Sequence, residues 1–213
     1  MDKSAPKYDD LNNRYPGDFR ASEIILYSYG GTQFDISGLT SVVNVYQSLD
    51  SAFLSGNILF FDTMGIAKSL PIIGNEHLEF KFRNPIEGNG DEELNATNHR
   101  FKVYEKRSVK TQQNVQAIAL FSTSIESVRN ERVRVSKSLE GSYAEMVDKL
   151  VKSDKELLNT KKDLFIDPTL GNYKYTFPNV RPLDGVRMMT DLAEPFNFKT
   201  PHYMFYENNR GFH

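Results

Sequence analysis

Apolar positions along this chain follow two periods. They alternate in twos up to about residue 137 and recur at helical spacing in much of the chain beyond it. The most regular stretch is Ser41 to Arg83. From Ser41 to Asp50 the set Val43, Val45, Gln47 and Leu49 alternates with Val42, Asn44, Tyr46 and Ser48, as in a half-buried strand. Phe53 to Asp62 comes after only Ser51 and Ala52, a spacing that predicts an antiparallel hairpin. Gly56 inside the second run predicts a bulge or a close backbone approach, and Phe60 and Phe61 point to opposite faces. Thr63 is the expected N-cap of a turn holding Met64, Ile66, Ala67 and Leu70, which Pro71 ends. Leu78, Phe80 and Phe82 then oppose Glu79, Lys81 and Arg83, the pattern of a half-solvated strand. On pattern alone this is the core of a β-sandwich or small barrel.

The flanks extend the pattern. Residues 1–20 mix Lys, Asp, Asn, Pro and Gly without period and are expected to form an extended arm. Ser22 to Tyr29 is the expected first strand, with Gly30-Gly31 turning into Thr32 to Ile36. After Arg83 a polar segment with Gly88, Gly90 and the acids Glu87, Asp91, Glu92 and Glu93 predicts a loop at a hairpin tip. Strands are then expected over His99 to Lys106 and Val115 to Ser124, with a turn at Lys110 to Asn114 between them. The second of these is apolar on both faces and should lie deepest in the sheet. Arg132 to Lys137 alternates once more, with Val133 and Val135 inward.

The change of period near Lys137 is the expected domain boundary, giving an arm at 1–20, a β domain at 21–137 and an α+β domain at 138–213. Ser142 and Glu145 form a capping box ahead of Tyr143, Met146, Val147, Leu150 and Val151, which share one face of a helix ending near Ser153. A short strand is expected at Leu164 to Ile166, and Tyr173, Tyr175 and Phe177 alternate before Pro178. A second helix is expected from Pro182 with Leu183, Val186, Met189 and Ala193 inward, ending at Pro195. His202 to Tyr206, a turn at Asn208-Asn209-Arg210-Gly211, and Phe212-His213 read as a last strand, a hairpin turn and a strand left unfinished, so a longer native polypeptide is expected.

Composition narrows the function classes. The chain has 213 residues, and with no cysteine it forms neither disulfides nor thiolate metal sites. A formal net charge of -2 argues against a general nucleic-acid binder. The charge is uneven: residues 101 to 137 hold eight Lys or Arg against three Glu, either solvated strand faces or a contact surface for an acidic partner. No apolar run approaches the roughly 20 residues of a spanning helix, and the N-terminus lacks the apolar core of a signal peptide. Asn95-Ala96-Thr97 matches a glycosylation acceptor by chance in such a context.

Catalytic chemistry has no sequence signature here. No glycine-lysine phosphate loop and no Gly-x-Ser-x-Gly elbow occurs, and His77, His99, His202 and His213 stand isolated from one another. No catalytic, cofactor-binding or metal-ligating residue is therefore expected. The 11 tyrosines and 15 phenylalanines leave open a carbohydrate-binding or carbohydrate-cleaving host-attachment domain, although no tryptophan is present to stack on a sugar.

Three groups of residues, in order, resemble a known family. They are Ile58-Leu59-Phe60-Phe61-Asp62 with Leu70-Pro71-Ile72-Ile73-Gly74-Asn75-Glu76 and Leu78-Glu79-Phe80-Lys81-Phe82; Arg134-Val135-Ser136-Lys137-Ser138-Leu139 ahead of the capped helix; and Tyr175-Thr176-Phe177-Pro178-Asn179 with Phe205-Tyr206-Glu207-Asn208-Asn209-Arg210-Gly211-Phe212. From about residue 22 onward this order resembles the baseplate hub proteins of contractile-tailed bacteriophages, and more distantly the hub part of type VI secretion spike proteins. The resemblance implies an antiparallel split β-barrel tube domain followed by part of a smaller α+β domain. It also implies a non-enzymatic virion component of the tail baseplate, assembled in the host cytoplasm as a homotrimer. Its implied partners are tail-tube or tube-initiator proteins, the central spike and the baseplate wedges. A tail-tube or tube-initiator protein is the alternative within the same structural class, because only one tube-like domain is legible.

Overall fold

The computed structural model describes residues 20–69, 72–83, 96–110, 115–196 and 203–213. Its first part holds β1 (Arg20–Tyr27), β2 (Gln33–Asp35), β3 (Thr40–Tyr46), β4 (Ser55–Asp62), the short helix α1 (Ile66–Ser69), β5 (His77–Arg83), β6 (Ala96–Lys110) and β7 (Gln116–Ser124). These seven strands make one antiparallel sheet in the order β2-β1-β5-β6-β7-β4-β3. The sheet curls because β6, 15 residues long, serves two halves. Ala96 to Lys102 pairs with β5, whereas Phe101 to Lys110 pairs with β7, and the register shifts between Val103 and Glu105. Such a bulge bends a strand and increases its twist. Side chains from both sides of the bend then meet in one core: Ile24, Leu26, Leu78 and Phe80 from one half, Ile58, Phe60, Ile118 and Leu120 from the other. Phe80 and Phe101 meet edge to face at 5.5 Å.

Helix α2 (Ile125–Arg132) leads out of the sheet. Beyond it lie β8 (Ser138–Gly141), α3 (Tyr143–Asp148) running into a π-helical turn at Lys149–Ser153, β9 (Asp163–Leu164), β10 (Tyr173–Thr176), α4 (Pro182–Leu192), β11 (Glu207–Asn208) and β12 (Gly211–Phe212). The capping box forms as expected: Glu145 N donates to Ser142 Oγ at 3.2 Å, and Ser142 N donates to Glu145 Oε2 at 2.8 Å. Met146, Leu150, Val151, Phe177, Val186, Met189 and Phe212 build a second core. The fold is thus α+β, an antiparallel half-barrel sheet with a smaller α+β region after it.

The last strands explain one glycine. β12 pairs antiparallel with β11 and parallel with β9, and Asn208 Oδ1 accepts from Arg210 N at 2.8 Å to close the turn between β11 and β12. Gly211 has φ +146, and a Cβ there would collide with the Asp163 backbone carbonyl of β9. Backbone yields less readily than a side chain, so Gly211→Ala is expected to cost about 2–3 kcal/mol. A fall in the urea midpoint at unchanged m-value checks it.

Several elements differ from the expectation, each for a physical reason. The hairpin after Tyr46 is wider than two residues: the ladder ends at Tyr46 opposite Ser55, and Gln47 to Leu54 form the loop. The cap of α1 is Asp62, not Thr63, because a carboxylate reaches two amides at once, Ile66 N at 2.7 Å and Ala67 N at 2.9 Å. Of the two readings of Gly56 the close approach holds: it sits in regular pairing, and a Cβ there would lie 2.9 Å from Asn44 O and 3.1 Å from the Phe101 ring. The expected strand at Arg132 to Lys137 is one bridge, Val135 to Val180, with Val135 buried. Helix α2 and strand β8 were not expected. Phe212 lies in β12, which is paired on both sides, with β11 and with β9. The loop at 84–95, the turn at 111–114, the arm at 1–19, Leu70, Pro71 and His202 lie outside the described residues.

Candidate functional site

The densest polar cluster among the described residues lies where the half-barrel meets the C-terminal region. Lys162 Nζ donates to Glu126 Oε2 at 2.7 Å and to Glu207 Oε1 at 2.5 Å, so one ammonium serves two buried carboxylates. Glu207 Oε2 also accepts from Leu54 N at 2.9 Å and Ser124 Oγ at 2.5 Å, and Glu126 Oε1 from Thr160 Oγ1 at 2.6 Å. β7, α2, the loop before β4, the segment before β9, and β11 are tied together by side chains in this way. Phe53 meets Phe212 edge to face at 6.3 Å beside the cluster. Every carboxylate oxygen named is engaged by a donor, which fits a rigid joint and offers no free general acid or base.

His99 on β6 faces the same joint. Burial, and then the charge of Lys162, hold its imidazole down to about 4, so it is neutral near pH 7. It stacks on Phe101 at 5.6 Å. His77 is also lowered, by burial first and then by Lys102 and Arg100. His213 stacks between Phe165 at 4.8 Å and Tyr206 at 5.2 Å. These three histidines remain apart, and among the described residues no group of three or more His, Asp or Glu is placed to hold a metal.

The bases at 101–137 are largely engaged within the chain. Arg107 pairs with Glu105 at 2.6 Å and lies 4.8 Å from the centre of the Phe121 ring, Lys102 Nζ donates to Asn75 O, Arg129 donates to Lys155 O, and Lys137 pairs with Asp154. Four of the eight bases, two on β6, one on α2 and one ahead of β8, are thus held by partners within the chain. β7 is covered less fully on one of its two sides than its composition predicts. Ile118 and Leu120 are buried, whereas Ala119, Phe121 and Thr123 on the other side are half-buried. An aromatic groove of about 620 Å³ runs along α3 and α4 past Phe165, Met189, Tyr203 and Phe205.

The geometry amounts to a curled sheet with exposed edges, rigidly joined to a small α+β region. The fold is similar to that of a prophage tail protein. The 43 kDa tail protein of prophage MuSo2 from Shewanella oneidensis superposes with a TM-score of 0.56 at 10% identity, over 89% of this chain and 52% of that one. The chain thus spans about half the length of that protein, and at such identity the likeness is one of fold. The tail protein from Neisseria meningitidis MC58 gives a TM-score of 0.48 at 11% identity, over 79% of this chain and 44% of that one. No family model and no curated protein matches the sequence.

Proposed function

We propose that this chain is a structural subunit of a phage tail, a baseplate hub protein that links the tail tube to the central spike and performs no catalysis. The observation that carries the proposal is the half-barrel with its appended α+β region, matched over 89% of the chain to a tail protein. The ordered motifs at Ile58 to Phe82, Arg134 to Leu139 and Tyr175 to Phe212 support the narrower hub assignment by their resemblance to that family. In this role the subunit acts through packing: the Glu126–Lys162–Glu207 joint fixes the C-terminal region against the sheet, and three copies surround the tail axis in the virion.

The alternative within the same structural class is a tail-tube or tube-initiator protein. Quantitative mass spectrometry of purified tails from the phage that encodes this chain separates the two. Three copies per tail support the hub; six or more support the tube, and absence from the particle overturns both.

A further inference from the structure

The two edges of the seven-stranded sheet differ in kind. β2 is three residues long and carries Asp35, whose Oδ1 accepts from both Ser37 N and Ser37 Oγ. Short, charged edges resist further pairing. β3, Thr-Ser-Val-Val-Asn-Val-Tyr, has seven residues, no charge and no proline. Among the described strands β7 is the one other long strand without charge, and it lies in the middle of the sheet between β6 and β4; β1, β4, β5 and β6 all carry charged residues. β3 therefore has the composition of an interior strand at an edge position. Among the described residues, Ser41 to Tyr46 make no backbone hydrogen bond beyond the ladder with β4. Val42 and Tyr46 stand 41% and 53% exposed on its outer face, while Val43 and Val45 are only partly buried against the core.

An edge of unpaired amides and carbonyls is completed by another extended strand. The sequence of β3 fits itself. Laid antiparallel about Asn44, two copies set Val43 opposite Val45 twice on the inner face and Val42 opposite Tyr46 twice on the outer face, with no like charges to oppose them. We propose that the open edge of β3 pairs with β3 of a second copy of this chain about a two-fold axis, joining two half-barrel sheets into one.

Pairing of this kind depends on the β3 edge alone and is independent of any hub role. Subunits of a tail share one direction along its axis, and a two-fold axis lying across the tail reverses that direction. The pair is therefore a form of the unassembled subunit, and β3 pairing competes with incorporation into a tail.

Sedimentation equilibrium of the purified chain over a wide concentration range tests this. The expected mass is twice that of the monomer at high concentration, with Val42→Lys reverting to monomer and Met64→Lys, exposed and outside β3, remaining paired. Amide exchange across residues 40–46 is expected to slow as concentration rises in the wild type and in M64K, but not in V42K. Should V42K fail to fold by circular dichroism, Tyr46→Lys, on the same outer side of β3, serves in its place, with monomeric mass and concentration-independent exchange at 40–46 expected. A wild-type chain that stays monomeric, or exchange at 40–46 that ignores concentration, overturns the proposal.

Discussion

Lys162→Met is expected to destabilise the protein by about 3 kcal/mol, because breaking a buried ion pair strands the remaining charge. Here two carboxylates are stranded at once. Glu207 is 2% exposed and Glu126 8%, and Lys162 is the ammonium that bridges them. Glu207 keeps Leu54 N and Ser124 Oγ as donors, whereas Glu126 keeps only Thr160 Oγ1. Most of the loss should therefore come from Glu126. The double variant Lys162→Met with Glu126→Gln is expected to recover part of it, since the neutral amide no longer needs a counter-charge. Urea unfolding of the two variants checks this. Equal stability of K162M and wild type would mean that solvent already screens the ammonium.

Acid should weaken the fold through His99. Its ordinary value is 6.5, and burial with the Lys162 charge holds it near 4 in the folded chain. Above pH 6.5 the ring is neutral in both states and contributes nothing. Between 6.5 and about 4 the unfolded chain takes up a proton that the fold refuses, so stability falls with pH, and below about 4 the loss is complete. A fall from 6.5 to about 4, at about 1.4 kcal/mol per pKa unit, is a loss of about 3–4 kcal/mol. His99→Gln removes the titration. Its stability profile is expected to be flatter than wild type by that amount between pH 7 and pH 4, while parallel profiles would remove His99 as the cause.

Local chemistry explains what was legible in the sequence. The Ser142–Glu145 box, the face of Met146, Val147, Leu150 and Val151, and the alternation at Leu78 and Phe80 are short-range signals, and each appears where it was read. Helix α2 was missed because Ile-Glu-Ser-Val-Arg-Asn-Glu-Arg has little apolar face: its buried residues are Glu126 and Asn130, held by Lys162 and by Leu183 N. Those partners lie 36 and 53 residues away, a distance at which no periodicity signals contact. β9, β11 and β12 were blurred for a similar reason. Strands of two residues exist only because β12 finds β9 across the fold. The joint was invisible for the same cause, since Glu126, Lys162 and Glu207 are ordinary surface residue types until the chain closes around them.

Electron cryo-microscopy of phage tails that contain this chain is the most direct test of the proposed structural role. A hub subunit places three copies of the half-barrel at the junction of tube and spike, with the small α+β region fixed against each sheet at Lys162. Density for the chain anywhere outside the tail, or six copies stacked along the tube, contradicts that assignment.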